Sequence, residues 1–481
     1  MSQDPSLVPT EPELTDAVDL LVVKGCIITV DPDRRMIEDG AVAVAAGRIV
    51  AVGATDEITA RYPHASTIID ARGGVVTPGF VEGHVHLSQH LGRTSIPDTW
   101  QESREHEQWL PYWLNMTPQD AETSATLAAM EMVRNGTTCF SDMSGRFLGE
   151  NQAAATERIG LRGMISETVW DIPPHASVGT GNTDECLASI ERLLETFPKS
   201  ERLSWAGVGL AGMGSASDAL LIGARALARE HGVTFYLHQS FADADTRAYA
   251  EHAGGKTAVE HLGDQGLLGP DVHLVHLIKN SVREVEILAE TGTSVVHCPA
   301  ASLRWGLGVS RTGLIPEALD AGVNVALGSD SGNYSDFLDV GRQMYLATTI
   351  HREARGVVPS VTAEQALEMA TINGARAVGR ADEIGSIEVG KLADLVIHSS
   401  RRPEWHPRYE PVRSLVYGAQ STGVETVIID GKVVLRDGVF VTIDEEAELA
   451  QIDRAAADLT RRMNFSAPGQ WPLERSLPTV S

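Results

Sequence analysis

The chain has 481 residues, 43% hydrophobic and 22% charged, with a formal net charge of −26. That is a globular composition, long enough for one large α/β domain and a small attached one. The negative charge repels phosphate backbones and anionic bilayers, so neither nucleic acid nor a membrane is an expected partner.

Met1 to Ala17 is polar, acidic and proline-bearing. It lacks a basic stretch leading into an apolar core, so it reads as a flexible N-terminus (1–17) and not as a signal peptide. No uncharged apolar run reaches the length of a membrane span. Cys26, Cys139, Cys186 and Cys298 are scattered, with no C-x-x-C pair. Reduced thiols and a cytoplasmic location are therefore expected.

Leu20–Val30, Gly40–Val44 and Arg48–Gly53 read as strands, and so do Ala393–His398, Val424–Asp430 and Lys432–Leu435 near the other end. Residues 18–74 plus 385–445 are expected to form a small β-sandwich domain. Between them, eight apolar runs alternate with helical stretches. The runs are Val75–Val85, Thr137–Asp142, Leu161–Thr168 and Leu203–Leu210, then Val233–His238, His273–Ile278, Ser294–Cys298 and Val323–Gly328. Ala121–Asn135, Ala216–His231, Ser281–Thr291 and Leu314–Ala321 carry the helical patterns. This rhythm predicts a (β/α)8 TIM-like barrel over 75–384. No glycine-rich phosphate loop favours an open doubly wound sheet. Thr362–Val378 reads as a further helix. Residues 446–481 read as a C-terminal helix and tail, the helix spanning Glu445–Met463.

His84 and His86 stand two apart at the end of the first run, so in a strand both imidazoles face one side. Other runs end in His238-Gln239-Ser240, in His273 and His276, in His297-Cys298-Pro299 and in Ser329-Asp330-Ser331. Barrel chemistry sits at strand C-termini, and so many polar residues there predict a metal site. His273 and His276 are three apart and face opposite sides. His276 is nearer the end and is taken into the site, leaving His273 as a packing or surface residue.

The motifs PGFVEGHVHL, LHQS, LVHL, TSVVHCPAAS and ALGSDS resemble the strand motifs of the amidohydrolase superfamily. The likeness is to its branch of atrazine/triazine hydrolases and cytosine/guanine deaminases, and it spans about Val18 to Val441. It implies that His84, His86, His238 and Asp330 bind one divalent metal ion, zinc first, with cobalt, manganese or iron also accommodated. It implies that His276 polarises the substrate's carbonyl oxygen or helps deprotonate the water, that Asp330 acts as the base and that His297 lines the pocket. The fourth run contains no lysine to bridge two metals, which by the same resemblance implies a single ion. Relatives are often oligomeric, so a homodimer or homotetramer acting on a small molecule is implied.

Two positions depart from the branch. Phe241 stands where a His-x-x-Glu motif would place its acid, and Ala301-Ser302 replaces Ser-Asn. A phenyl ring transfers no proton. Asp243 and Asp245 lie nearby at the wrong offset. The reading ranked first is therefore attack by metal-activated water on an amide, urea or (thio)carbamate carbonyl, as in the phenylurea and thiocarbamate hydrolases. The alternative is deamination or dechlorination of a heteroaromatic ring such as a triazine, pyrimidine or purine. Gln239, Phe241 and Ser302 are expected against the substrate. Trp109 and Trp305, in the loops after the first and seventh strands, are expected to roof it, with Trp100, Tyr112 and Trp113 nearby.

Overall fold

The structure, a computed structural model, describes residues 17–100, 103–143, 149–173, 175, 177–179, 181–199, 203–466, 469 and 471. The expected flexible N-terminus, apart from Ala17, and most of the extended tail lie outside the described residues.

Strands from both ends of the chain join one nine-stranded sheet. Its order runs Val439–Phe440, Lys432–Arg436, Val424–Ile429, Leu395–His398, Val75–Pro78, Ala17–Ile28, Met36–Ala45, Arg48–Ala54, with His64–Asp70 also paired to Ala17–Ile28. A small β-sandwich is the expectation for these strands, and they are hydrogen-bonded as one continuous sheet. Val75–Pro78 makes the join: it runs parallel to Cys26 and Ile27 and antiparallel to Leu395–His398. The first apolar run is therefore two strands. Pro78-Gly79 breaks it, and Gly79 is required there because a Cβ would lie 1.9 Å from Thr138 Oγ1.

The remaining runs form two five-stranded parallel sheets. One orders Asp330–Ser331, Phe80–His86, Thr137–Asp142, Arg162–Ile165, Ser204–Ala206. The other orders Val208–Leu210, Phe235–Gln239, Val272–His276, Ser294–His297, Val325–Leu327. The fourth run thus passes from one sheet to the other at Gly207, and the eighth does so at Gly328-Ser329. Strands buried on both faces suit these continuous apolar runs. Arg162 and Asp394, both 2% exposed by side chain, meet at 3.0 Å and tie the parallel strands to the nine-stranded sheet. Removing one partner of such a buried pair costs about 3–5 kcal/mol.

Four of the helices between the strands begin at capping boxes. Thr117 with Asp120, Asn182 with Glu185, Thr257 with Glu260 and Ser281 with Glu284 each satisfy two backbone N–H groups. The predicted helix Thr362–Val378 is two helices, Ala363–Ala370 and Ile372–Ala377. Thr371 leaves the helical region (φ −129°, ψ −94°) while its hydroxyl donates back to Leu367 O at 2.6 Å. The last helix, Glu445–Arg462, is not free: Arg134 pairs with Glu445, Arg158 with Glu448 and Arg462 with Asp120. Among the described residues, no helix is long and apolar enough to cross a membrane.

Candidate metal centre and cavity

The parallel strands end in one cavity of about 260 Å³. Its floor is polar. His84 Nε2 lies 3.1 Å from His238 Nε2, and His86 Nε2 lies 3.2 Å from the same atom. Asp330 Oδ1 stands 3.6 Å from His86 Nε2 and 3.9 Å from His84 Nε2, and its Oδ2 stands 3.9 Å from His276 Nε2.

Register between neighbouring strands sets this spacing. Asp330 is paired with Val85 and Ser331 with His86, while Gln239 is paired with His276. The backbone turns sharply where the side chains are presented. Ser240, His276, Leu277 and Asp330 have φ of +53°, +77°, +44° and +67°. Non-glycine residues rarely occupy this region, and surrounding bonds hold them there. Leu277 N donates to Gln239 O at 3.1 Å, and Ile278 N and Lys279 N donate to Ser240 O. Beneath Asp330, the buried Glu82 accepts a hydrogen bond from Ser329 N at 2.5 Å, and burial pushes its carboxyl up to about 8.

The donor set fits a cation. His86 Nδ1 donates to Met143 O at 2.7 Å and His238 Nδ1 to Ala211 O at 3.1 Å, an assignment that leaves both Nε2 lone pairs facing inward. Nitrogens around a tetrahedral ion with bonds of ~2.0–2.1 Å stand roughly 3.3 Å apart, close to the spacing found here. Burial lowers His86 to about 3 and His238 to about 4, and holds His84 and His276 well below the usual imidazole range. All four rings are thus neutral, as ligation needs. His84, His86 and Asp330, and His84, His238 and His276, are two groups that could hold a metal ion.

Apolar rings form the walls. Trp113 stacks on Trp109 at 5.3 Å and tilts against Trp170 at 5.5 Å. Phe241 faces the cavity with its ring 5.8 Å from His276. Asp330 is the sole carboxylate among the described residues that line it.

Of the residues proposed from sequence, Trp109, Phe241, His86, His238, His276 and Asp330 line this cavity. Gln239, His297, Ser302 and Trp305 do not line the cavity. Gln239 follows His238 directly, so strand alternation turns it to the opposite face. His297 is buried against His351, rings 5.7 Å apart. Ser302 is buried in the helix Pro299–Arg304. Trp305 packs behind Tyr334, donating from Nε1 to its carbonyl at 3.0 Å. Tyr112 also turns away and donates to Ser88 O at 2.7 Å, and Trp100 packs on Phe465. His273 is buried, stacked on Tyr236 and bonded through Nδ1 to Ala377 O. Asp243 pairs with Lys279 at 3.1 Å, so it does not replace the acid absent at 241; the Asp245 side chain lies outside the described residues. Sequence reasoning missed Trp170, His106, His175 and Tyr334 on the wall. Trp170, His175 and Tyr334 lie in loops, and His106 lies on the short helix Glu105–Trp109, so no strand or helix periodicity points to them.

A family model described as "Amidohydrolase family" matches residues 75–434, and one described as "Imidazolonepropionase-like composite domain, bacteria" matches residues 40–65. The 5-methylthioadenosine/S-adenosylhomocysteine deaminase of Syntrophobacter fumaroxidans is 33% identical, over 90% of this chain and 97% of its own. The 5'-deoxyadenosine deaminase of Methanosarcina mazei is 31% identical, over 93% and 99%. A zinc-bound adenosine deaminase from Xanthomonas campestris superposes with a TM-score of 0.86 at 27% identity, over 92% and 99% of the two chains. The zinc-bound atrazine chlorohydrolase of Arthrobacter aurescens TC1 shares the fold, with a TM-score of 0.83 at 22% identity over 91% and 100%. With three quarters of its length matched and its strand-end histidines gathered on one floor, the chain belongs to the amidohydrolase family.

Proposed function

We propose that this enzyme is a metal-dependent aminohydrolase that removes the amino group of a purine-type heteroaromatic base, using one divalent ion. The observation that carries the reading is the near full-length identity to deaminases of adenosine compounds. The sequence alone ranks acyl hydrolysis first, and these relatives reverse that order. A flat slot lined by Trp109, Trp113 and Trp170 suits a flat base.

In this reading His84, His86, His238 and Asp330 hold the ion, zinc first, with cobalt, manganese or iron as alternatives. The bound ion supplies a water acidified towards neutrality. Without an ion, burial pushes the Asp330 carboxyl up to about 7; a bound cation would draw it back down, leaving a carboxylate able to accept a proton. It takes the proton of the attacking water and delivers it to the departing nitrogen. His276 shares the space above Asp330 Oδ2 and orients the reacting group. Phe241 keeps a second reading alive. Attack on an amide, urea or thiocarbamate carbonyl needs oxygen polarisation and leaving-group protonation, without an acid at 241.

The two parallel sheets share their fourth and eighth segments, which supports a single (β/α)8 barrel over 75–384. Leu20, Val22, Val42 and Val44 meet Leu395, Ile397 and Ile428 in one apolar cluster, which supports a small sandwich folded from the nine-stranded sheet over 18–74 and 385–445. The expected assembly is a cytoplasmic homodimer or homotetramer, which sedimentation reads directly.

The test is product identity. Zinc-loaded enzyme is incubated with 5'-deoxyadenosine, 5'-methylthioadenosine, a phenylurea and an anilide. Ammonia from the nucleosides is expected. Aniline release from the urea or anilide, with no ammonia from any nucleoside, would establish the second reading instead.

A further inference from the structure

Two histidines on the cavity wall have no part in the chemistry above. His106 lies on the short π-helix Glu105–Trp109, a form of helix often found at functional sites. His175 lies in the loop beyond Trp170. Their rings meet edge to face, 5.4 Å apart at 67°, and both line the cavity that has Asp330 on its floor. His106 is exposed, whereas His84 and Asp330 on the floor are buried, which sets His106 on the solvent side of the cavity with His175 against it. The same wall carries Trp109, stacked on Trp113, and Trp170, tilted against Trp113.

The tautomer of His175 is set by its own loop. Ser177 N donates to His175 Nδ1 at 3.0 Å. A nitrogen that accepts carries no proton, so the proton of neutral His175 sits on Nε2. His175 is thus a hydrogen-bond donor at the far end of an aromatic slot.

We propose that His175, braced by His106, is a specificity-determining residue. Its Nε2–H bonds an acceptor atom at the end of the substrate remote from the reacting carbon, while the flat part of the substrate lies on the tryptophans. The ligand class is a planar heteroaromatic or aryl compound with an oxygen, nitrogen or thioether acceptor distant from the bond broken. The deaminase reading enters only in the choice of a purine nucleoside as probe.

Inosine has no amino group to lose, so it reads binding apart from turnover. Tryptophan fluorescence of the full-length zinc-loaded protein is titrated with inosine for wild type, His175→Ala and His175→Gln. Ammonia release from 5'-deoxyadenosine by the wild type is recorded alongside. Expected is a loss of affinity of about tenfold for His175→Ala, the scale of one hydrogen bond, with His175→Gln, which keeps an N–H donor, within about threefold of wild type. Equal affinities, a Gln variant as weak as the Ala variant, or no binding by the wild type would overturn the proposal. Absent ammonia with the His175 pattern intact contradicts the deaminase reading alone. Ammonia with no effect at His175 contradicts the subsite alone.

Discussion

On the floor of the cavity the polar atoms come from strand ends: His84 and His86 from Phe80–His86, His238 from Phe235–Gln239, His276 from Val272–His276 and Asp330 from the eighth run. Backbone pairing across neighbouring strands sets the register in which they face one another. Over the floor, the roof is drawn from the helical stretch that carries His106, Trp109 and Trp113 and from the loop that carries Trp170 and His175. Rings packed edge and face hold it, with single anchors such as Trp170 Nε1 to Gly179 O at 2.8 Å. The difference separates two tasks. Groups that hold an ion and move protons need rigid placement, which sheets provide, whereas groups that select a substrate sit on segments that vary without disturbing the barrel.

Breaking the floor should have the largest effect. Asp330→Asn is expected to lower turnover by about 10²- to 10⁴-fold with its circular dichroism spectrum unchanged. A variant retaining more than a tenth of wild-type rate would remove Asp330 from proton transfer. Phe241→Glu probes the border between floor and roof. Restoring an acid there should raise ammonia release from 5'-deoxyadenosine about tenfold or more and leave anilide hydrolysis unimproved. A gain on the anilide instead would reverse the ranking of the two reactions.

Roof changes should be milder and of another kind. Trp113→Ala is expected to raise KM about tenfold with kcat within about threefold, because it removes ring contacts on both sides and no reacting group. A fall in kcat without a change in KM would mean that the roof sets reaction geometry. The smallest effect concerns the support below the floor. Burial lowers His273 and His351 to about 4 and His398 to about 3. Unfolded imidazoles take up protons near 6.5. Between about pH 6.5 and 4 the unfolded chain therefore binds more protons, and stability falls as pH falls through that window. The melting midpoint should drop from pH 7 to pH 5, and His351→Phe should make that drop shallower. An unaltered slope would show that His351 is protonated in the fold.

The floor was legible because each of its residues obeys a local rule. His84 and His86 share a strand face by parity, and the same parity admits only one of His273 and His276, of which His276 lies nearer the strand end. Applied once more, it would have excluded Gln239, one step from His238. Ser302 and His297 sit in the right motif but are covered, by the helix Pro299–Arg304 and by His351, and burial depends on the packing of distant elements. The roof was half legible. Trp109 and Trp113 were named with the loop, but nothing local distinguishes them from Tyr112 and Trp100, which pack elsewhere. Trp170 and His175 reach the cavity only through contacts with residues about sixty positions away, at Trp113 and His106. The nine-stranded sheet was legible strand by strand, though not the transfer of Val75–Pro78 into it, which depends on the Gly79–Thr138 approach.

The claim at the centre of this account is that the floor holds one catalytic ion. It is tested most directly by counting metal per chain, by plasma mass spectrometry, in wild type and His238→Ala after growth with added zinc and removal of loosely bound ions. The account predicts about one equivalent in the wild type and none in the variant, with activity lost in proportion. Two equivalents in the wild type, or an unchanged count in His238→Ala, would contradict it.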